Sequence, residues 1–266
     1  MYKNNSNKKL SQYFLVDQLK SILLAQLIYN SHPKSATVVE IGPGRGSLTK
    51  ELLALGLTIH AVEIDPIMCT FLRNTYSNYI QANKLIIHQE DFLRFDIMEY
   101  SKNNYDLTVV GNIPYHISTD ILSKLVDLNI HIENVFLLVQ KEYADRLVAS
   151  HSTKQYGRLT IFAQLIFSIN ILTEISRNSF KPIPKVDSCF IQLKNNRNTL
   201  SPEILLKLKY ITSIFFRHRR KMLKHVLRQY NIKTTHVIEN IRAEEISPKQ
   251  FLDLCKTLDF NLPCTF

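Results

Sequence analysis

The chain has 266 residues, 45% hydrophobic and 21% charged, with a net charge of +10. That balance suits one large and one small folded domain, excludes a disordered chain, and points to a polyanionic partner. The sequence has no run of 18 apolar residues, no signal-peptide core, and no C-x-x-C pair among Cys69, Cys189, Cys255 and Cys264, so the expectation is a reduced, cytoplasmic protein with no membrane segment and no metal.

The first nine residues are rich in Asn and Lys and read as a loose arm. Val38-Val39-Glu40-Ile41 reads as a short buried strand and leads into Gly42-Pro43-Gly44-Arg45-Gly46, which holds three of the six glycines. A helical pattern follows from Leu48 to Leu55, with Gly56 in the position of a helix-ending residue. Strand, glycine turn and helix make the first half of a nucleotide-binding βαβ unit, although the spacing G-x-G-x-G differs from that of dinucleotide enzymes. The next strand, Thr58 to Val62, ends at Glu63, 21 residues after Gly42, where a carboxylate can hold ribose hydroxyls. A third, Leu85 to His88, is followed by Glu90-Asp91-Phe92, where a carboxylate can accept from the exocyclic amine of an adenine. Taken singly, each acid reads more readily as a solvated loop charge.

The fourth strand, Leu107-Thr108-Val109-Val110, runs into Gly111-Asn112-Ile113-Pro114-Tyr115. An adenine amino group is a weak nucleophile with two N–H donors. The Asn112 side-chain oxygen and the Ile113 carbonyl are acceptors suited to it, Pro114 offers no competing N–H, and Tyr115 is placed to stack on the base. Alone, the motif is equally a turn with a core tyrosine. In an open α/β sheet, however, all four loops meet at the carboxyl ends of the strands. Acids and a glycine turn without a phosphate clamp suit a cofactor with ribose and adenine but no pyrophosphate, as in S-adenosylmethionine.

Asp187 to Leu193 reads as a last strand, and the polar run Lys194 to Thr199 as a boundary. Beyond it, residues 196–266 carry 13 Lys and Arg against 6 Asp and Glu, whereas residues 1–195 carry 20 against 17. Ser201-Pro202 opens a helix through about Phe216, and Ser247-Pro248 repeats that start signal, so the small domain is expected to be all helical. Between them, Met222, Leu223, Val226 and Leu227 follow helical spacing, which leaves Arg217, Arg219, Arg220, Lys221, Lys224 and Arg228 on the other face, either bound to an RNA backbone or solvated.

Read in order, the chain resembles the 16S rRNA adenine N6,N6-dimethyltransferase family from about Lys9 to Leu254. The resemblance rests on Gln12-Tyr13-Phe14-Leu15-Val16-Asp17, Glu40 to Thr49, Asn112-Ile113-Pro114-Tyr115 and Gln140-Lys141-Glu142. It continues in Tyr156-Gly157-Arg158-Leu159 and in Phe180 to Ser188. It implies a Rossmann-like class I S-adenosylmethionine-dependent methyltransferase sheet (10–195) and a basic helical domain for rRNA binding (196–266). The implied reaction dimethylates two adjacent adenines near the 3′ end of 16S rRNA in the small ribosomal subunit, performed by a monomer. It implies a cofactor set of Tyr13, Leu15, Glu40, Gly42, Gly44, Glu63, Asp91, Phe92 and Asn112, and places Phe180 on the opposite face of the target base from Tyr115. The family usually has Asn or His where Tyr13 stands, and Gly where Ser11 stands. A 23S rRNA adenine methyltransferase of the antibiotic-resistance type shares these core motifs, but Tyr156-Gly157-Arg158-Leu159, the Phe216 to Leu223 helix and Arg242 to Ser247 favour the small-subunit enzyme. An RNA-binding assembly factor that keeps the fold without the reaction is the rival from another class.

Overall fold

The computed structural model describes residues 13–32, 37–198, 200–230, 232 and 240–257. The expected N-terminal arm and Cys264 lie outside the described residues. In chain order the first half comprises β1 (Phe14–Leu15), α1 (Gln18–Ser31), β2 (Thr37–Ile41), α2 (Ser47–Ala54), β3 (Ile59–Glu63), α3 (Pro66–Thr75), α4 (Ser77–Gln81) and β4 (Leu85–Gln89). It continues with β5 (Leu107–Asn112), α5 (Ser118–Asp127), β6 (Ile132–Gln140), α6 (Lys141–Leu147), α7 (Arg158–Ile166), β7 (Phe167–Ile175), β8 (Phe180–Lys181) and β9 (Ser188–Asn195). The last helices are α8 (Pro202–Arg217), α9 (Leu223–Gln229) and α10 (Pro248–Thr257).

Seven strands form one sheet in the order β4-β3-β2-β5-β6-β9-β7. The first five run parallel, and β9 is antiparallel to both β6 and β7. The chain leaves β2 towards β3 and β4, then returns to place β5 on the other side of β2. That reversal is the point at which open α/β sheets bind their ligands. Successive side chains alternate faces: Val39, Ile41 and Val109 pack under α5 with Ile121 and Leu125, and Val38 and Val110 pack with Leu24, Ile28 and Leu52 of α1 and α2. Gly111 sits tightly against β2, since a Cβ there would lie 2.8 Å from the Ile41 carbonyl oxygen.

A third core joins the helical tail to the sheet. Leu208, Ile211 and Phe215 of α8 and Phe251 of α10 pack with Tyr156, Ile161 and Leu165, so α7 is shared between the two parts. The cap signals are present: Ser201 accepts from the Ile204 N–H at 3.3 Å and Ser247 from Gln250 at 3.4 Å. The basic run departs from the expected continuous helix. It breaks over His218–Met222, where α8 ends and α9 begins, and Met222 is 38% exposed instead of packed. At the break Arg219 turns inward, its Nε 2.5 Å from Glu244, and donates to the carbonyls of Thr153 and Lys154 at 3.0 Å each, while Met222 bridges Arg242.

Glu40 lies within β2, 2% exposed, and its Oε2 accepts from the Thr49 hydroxyl at 2.7 Å. Burial, which outweighs that bond, and the nearby Glu63 push its carboxyl up to about 7. Between an ordinary carboxyl value of 4.5 and about 7, the folded protein therefore keeps a proton that the unfolded chain has released. Raising the pH through that window favours unfolding.

Two outcomes follow for denaturant melts. Gly111→Ala should lower the unfolding free energy by about 1–3 kcal/mol by forcing β2 and β5 apart, whereas Gly157→Ala, whose added Cβ meets no atom within 4 Å, should change it by less than about 0.5 kcal/mol. Equal losses would contradict the close β2–β5 contact. Between pH 4.5 and 8 the wild type should lose about 3 kcal/mol more stability than Glu40→Gln, which carries no titrating proton. Parallel pH profiles would contradict the assignment of a protonated Glu40.

Candidate active site

The carboxyl ends of β2, β3 and β5, with the segment after β4, surround one cavity. It is lined by Tyr13, Leu15, Glu40, Gly42, Gly44, Glu63, Asp91, Phe92, Asn112, Ile113, Pro114 and Tyr115. Of the residues expected at the cofactor and at the reacting base, Phe180 alone is outside this lining.

The glycine turn is built by backbone conformation. Gly42, Gly44 and Gly46 have φ of +59°, +56° and +77°, in the left-handed region that glycine occupies without strain. An added Cβ on Gly42 would meet no atom within 4 Å, so its backbone borders open space that a ligand can approach. At Gly44 the neighbouring space is already taken, since a Cβ would come within 2.9 Å of the Phe14 ring. Glu63 braces the turn from β3. Its Oε2 accepts from the Gly44 N–H at 3.0 Å and its Oε1 from Asp65 at 2.9 Å, while burial raises its carboxyl against both bonds. Two oxygens each taking one backbone donor retain lone pairs for hydroxyl groups of a ligand.

The Asp91 loop is pinned in two ways. Asp91 Oδ1 accepts from the Leu93 N–H at 3.0 Å, and Lys124 from α5 donates to the carbonyls of Phe92 at 2.7 Å and Phe95 at 2.5 Å. The Lys124 ammonium also lies 5.0 Å from the centre of the Phe92 ring. That leaves Asp91 Oδ2 available as an acceptor in the cavity wall.

At the end of β5, the Asn112 Nδ2 donates to the Tyr13 carbonyl at 2.7 Å. With the nitrogen so committed, Oδ1 is the acceptor that the amide retains. Tyr115 is half-buried, its hydroxyl 2.9 Å from Ser188 Oγ on β9, and burial raises its phenol above the ordinary tyrosine value. Tyr13 itself stacks on Tyr115, with ring centres 5.3 Å apart and planes inclined by 27°. Its backbone is held by its neighbours: Leu15 pairs with Phe180 across β1 and β8, the Leu15 carbonyl accepts from Ser47 Oγ at 2.6 Å, and the Val16 N–H reaches the Ser179 carbonyl at 2.9 Å.

Phe180 departs from the expectation. Its ring is 1% exposed and sits in the core with Leu15, Ile175 and Phe190. The β1–β8 pairing turns it inward, so in this arrangement it does not face Tyr115 across a base-sized gap. Arg219 also departs, being committed to Glu244 and two carbonyls. Lys224 bonds Asn240 at 3.1 Å. Arg217, Arg220, Lys221 and Arg228 are exposed. Arg158, at the start of α7, lies near enough to Arg217 that burial and then the Arg217 charge lower its guanidinium, so it adds to the same cationic surface.

Other lining residues carry no motif. Leu138 and Phe190 face one another across β6 and β9 and line the cavity, yet each reads as ordinary core. Lys124 acts from behind the lining through its bonds to the Phe92 and Phe95 carbonyls, and no spacing signal announces it. Phe14 lies within a quoted motif, and its role shows only in its contact with Gly44. Among the described residues no group of three or more His, Cys, Asp or Glu is placed to hold a metal ion, and no helix is long and apolar enough to cross a membrane.

Comparisons with known proteins agree with this geometry. In fold, the chain is similar to a dimethyladenosine transferase from Plasmodium falciparum, with a TM-score of 0.74 and 22% identity over 90% of this chain and 98% of the other. It is similar also to the 23S rRNA methyltransferase ErmE, with a TM-score of 0.68 and 24% identity over 91% and 98%. The fold is therefore that of a Rossmann-like class I methyltransferase. In sequence, the chain is 36% identical over 254 residues to the ribosomal RNA small subunit methyltransferase A of Buchnera aphidicola subsp. Schizaphis graminum, covering 93% of this chain and 90% of that one. The family model described as ribosomal RNA adenine dimethylase matches residues 3–259. The chain belongs to the ribosomal RNA adenine dimethylase family.

Proposed function

We propose that this protein uses S-adenosylmethionine to dimethylate N6 of two adjacent adenines near the 3′ end of 16S rRNA in the small ribosomal subunit or its precursor. The observation that carries this reading is the end of β5, where Asn112 retains Oδ1 as an acceptor beside Tyr115 while its nitrogen is held by the Tyr13 carbonyl. The name of the 36% identical relative supports the small subunit over the large one.

The cavity suits the cofactor. The open backbone at Gly42 accommodates close approach, Glu63 supplies acceptors for ribose hydroxyls, and Asp91 Oδ2 supplies one for an exocyclic amine. S-adenosylmethionine, when bound, supplies a methyl carbon already activated by its sulfonium. The protein's own work is alignment and charge stabilisation. The Asn112 Oδ1 and the Ile113 carbonyl accept the two N6–H groups, which favours a more tetrahedral, more nucleophilic nitrogen. As N6 gains positive charge, the same two oxygens stabilise it, and Pro114 brings no N–H to compete. Tyr115 holds an adenine that has been flipped out of its stack. The exposed cations Arg217, Arg220, Lys221 and Arg228, with Arg158, meet the RNA backbone; Arg219 serves instead as a brace for the helical part.

Asn112→Ala should lower methyl transfer to small subunits lacking the modification by about 100-fold or more, with cofactor affinity close to wild type by calorimetry. Loss of cofactor affinity comparable to that of Glu63→Ala would contradict the role given to Asn112. With radiolabelled S-adenosylmethionine, label should enter 30S and not 50S particles; label in 50S RNA alone would move the protein to the large-subunit activity. Arg220→Ala with Lys221→Ala should reduce the dependence of log affinity on log salt by about 1 per removed cation. An unchanged slope would place the RNA elsewhere on the surface.

A further inference from the structure

We propose that the side chain of Tyr13 is a resident stand-in for the target base, stacked on Tyr115 until a flipped adenine displaces it. The identity of the base as adenine rests on the reading above; the geometry does not. The two tyrosine rings are 5.3 Å apart and inclined by 27°, within the range of a stacked pair. A purine between them would need a further stacking spacing of about 3.4 Å, which this pair does not leave.

Four contacts decide which partner moves. The Tyr115 hydroxyl is tied to Ser188, so that ring is held in place. The Tyr13 carbonyl is bonded to Asn112, and the next residues are fixed by the pairing of Leu15 with Phe180 and by the bond from Ser47 to the Leu15 carbonyl. Only the Tyr13 side chain beyond its Cα is free of such ties, and it is half-buried. Tyr13, Asn112 and Tyr115 line the same cavity, and within it the Tyr13 ring stacks on one face of Tyr115. Phe180, buried at 1% exposure, does not occupy that place. Displacing Tyr13 costs the stack on Tyr115 and the packing of the ring against the neighbouring core. An adenine held elsewhere on the protein by its RNA backbone can meet that cost more easily than a free nucleoside, so the ring selects for bases delivered by a bound RNA.

The test is adenosine binding to the full-length protein saturated with S-adenosylhomocysteine, which blocks the adenine slot of the cofactor. Tyr13→Leu keeps an apolar side chain but removes the ring, and it should bind adenosine about two- to twelvefold more tightly than wild type. Tyr13→Phe keeps the ring and should match wild type. Affinity for S-adenosylhomocysteine should be the same in all three. Equal or weaker adenosine binding by Tyr13→Leu overturns the proposal, as does a parallel loss of S-adenosylhomocysteine affinity, which would make Tyr13 a cofactor contact. Because the readout is binding, it separates from the methylation reading: a gain with no label in 30S RNA sinks that reading alone, and label without the gain sinks this one alone.

Discussion

The site depends on the parallel pairing of β2 with β5. In this sheet the chain reverses its winding direction between those two strands, and the loops that leave them diverge to opposite faces. A crevice opens between the loops, with the glycine turn on one wall and Asn112 on the other. The pairing is tight at its last rung, where Gly111 faces Ile41 and no side chain fits between the strands. One residue later the strand ends at Asn112, so the closeness of the backbones sets how near the reactive amide lies to the glycine turn.

The N-terminal segment completes the site from outside the main sheet. β1 is two residues long and pairs only with β8, yet it links three parts of the cavity. Through the Tyr13 carbonyl it orients Asn112, through Phe14 it packs on Gly44, and through the Leu15 carbonyl it receives Ser47 at the start of α2. The cost of placing carboxylates in this setting falls on Glu40 and Glu63, both 2% exposed. Glu63 is compensated by backbone donors that include Gly44 and Asp65, and Glu40 only by the hydroxyl and backbone of Thr49, which burial outweighs, so its proton stays bound up to about neutral pH.

Much of this is legible in the amino-acid sequence, for identifiable reasons. Strands β2 to β5 are short apolar runs closed by glycine, acid or Asn-x-Pro-Tyr, and runs buried on both faces leave that signature. Their loops hold the cavity residues because the topology of a parallel sheet sends every carboxyl end to one edge. Strands β6 and β7 are harder to read: β6 is apolar without a closing turn signal, and β7 alternates irregularly at a sheet edge, with a register shift between Ile171 and Thr173. The basic segment misleads because periodicity reports which residues can share a helical face, not whether the helix continues. Here the helix stops where the segment meets residues 241–244 through the Met222–Arg242 bridge and the Arg219–Glu244 ion pair, contacts remote in sequence. The inward turn of Phe180 is also illegible, because it depends on a pairing between residues 14–15 and 180–181, far apart in the chain.

The account stands or falls on which atom of the base receives the methyl groups. Two acceptors at the end of β5 suit a nucleophile that is an amine with two N–H groups, and among the bases that carry one the family points to N6 of adenine. The decisive measurement is mass-spectrometric nucleoside analysis of 16S rRNA after exposure of unmodified small subunits to the protein and S-adenosylmethionine. N6,N6-dimethyladenosine is the expected product. Methylation at a ring atom of adenine, or on another base, would contradict the role given to Asn112 and Ile113 and with it the reading of the whole site.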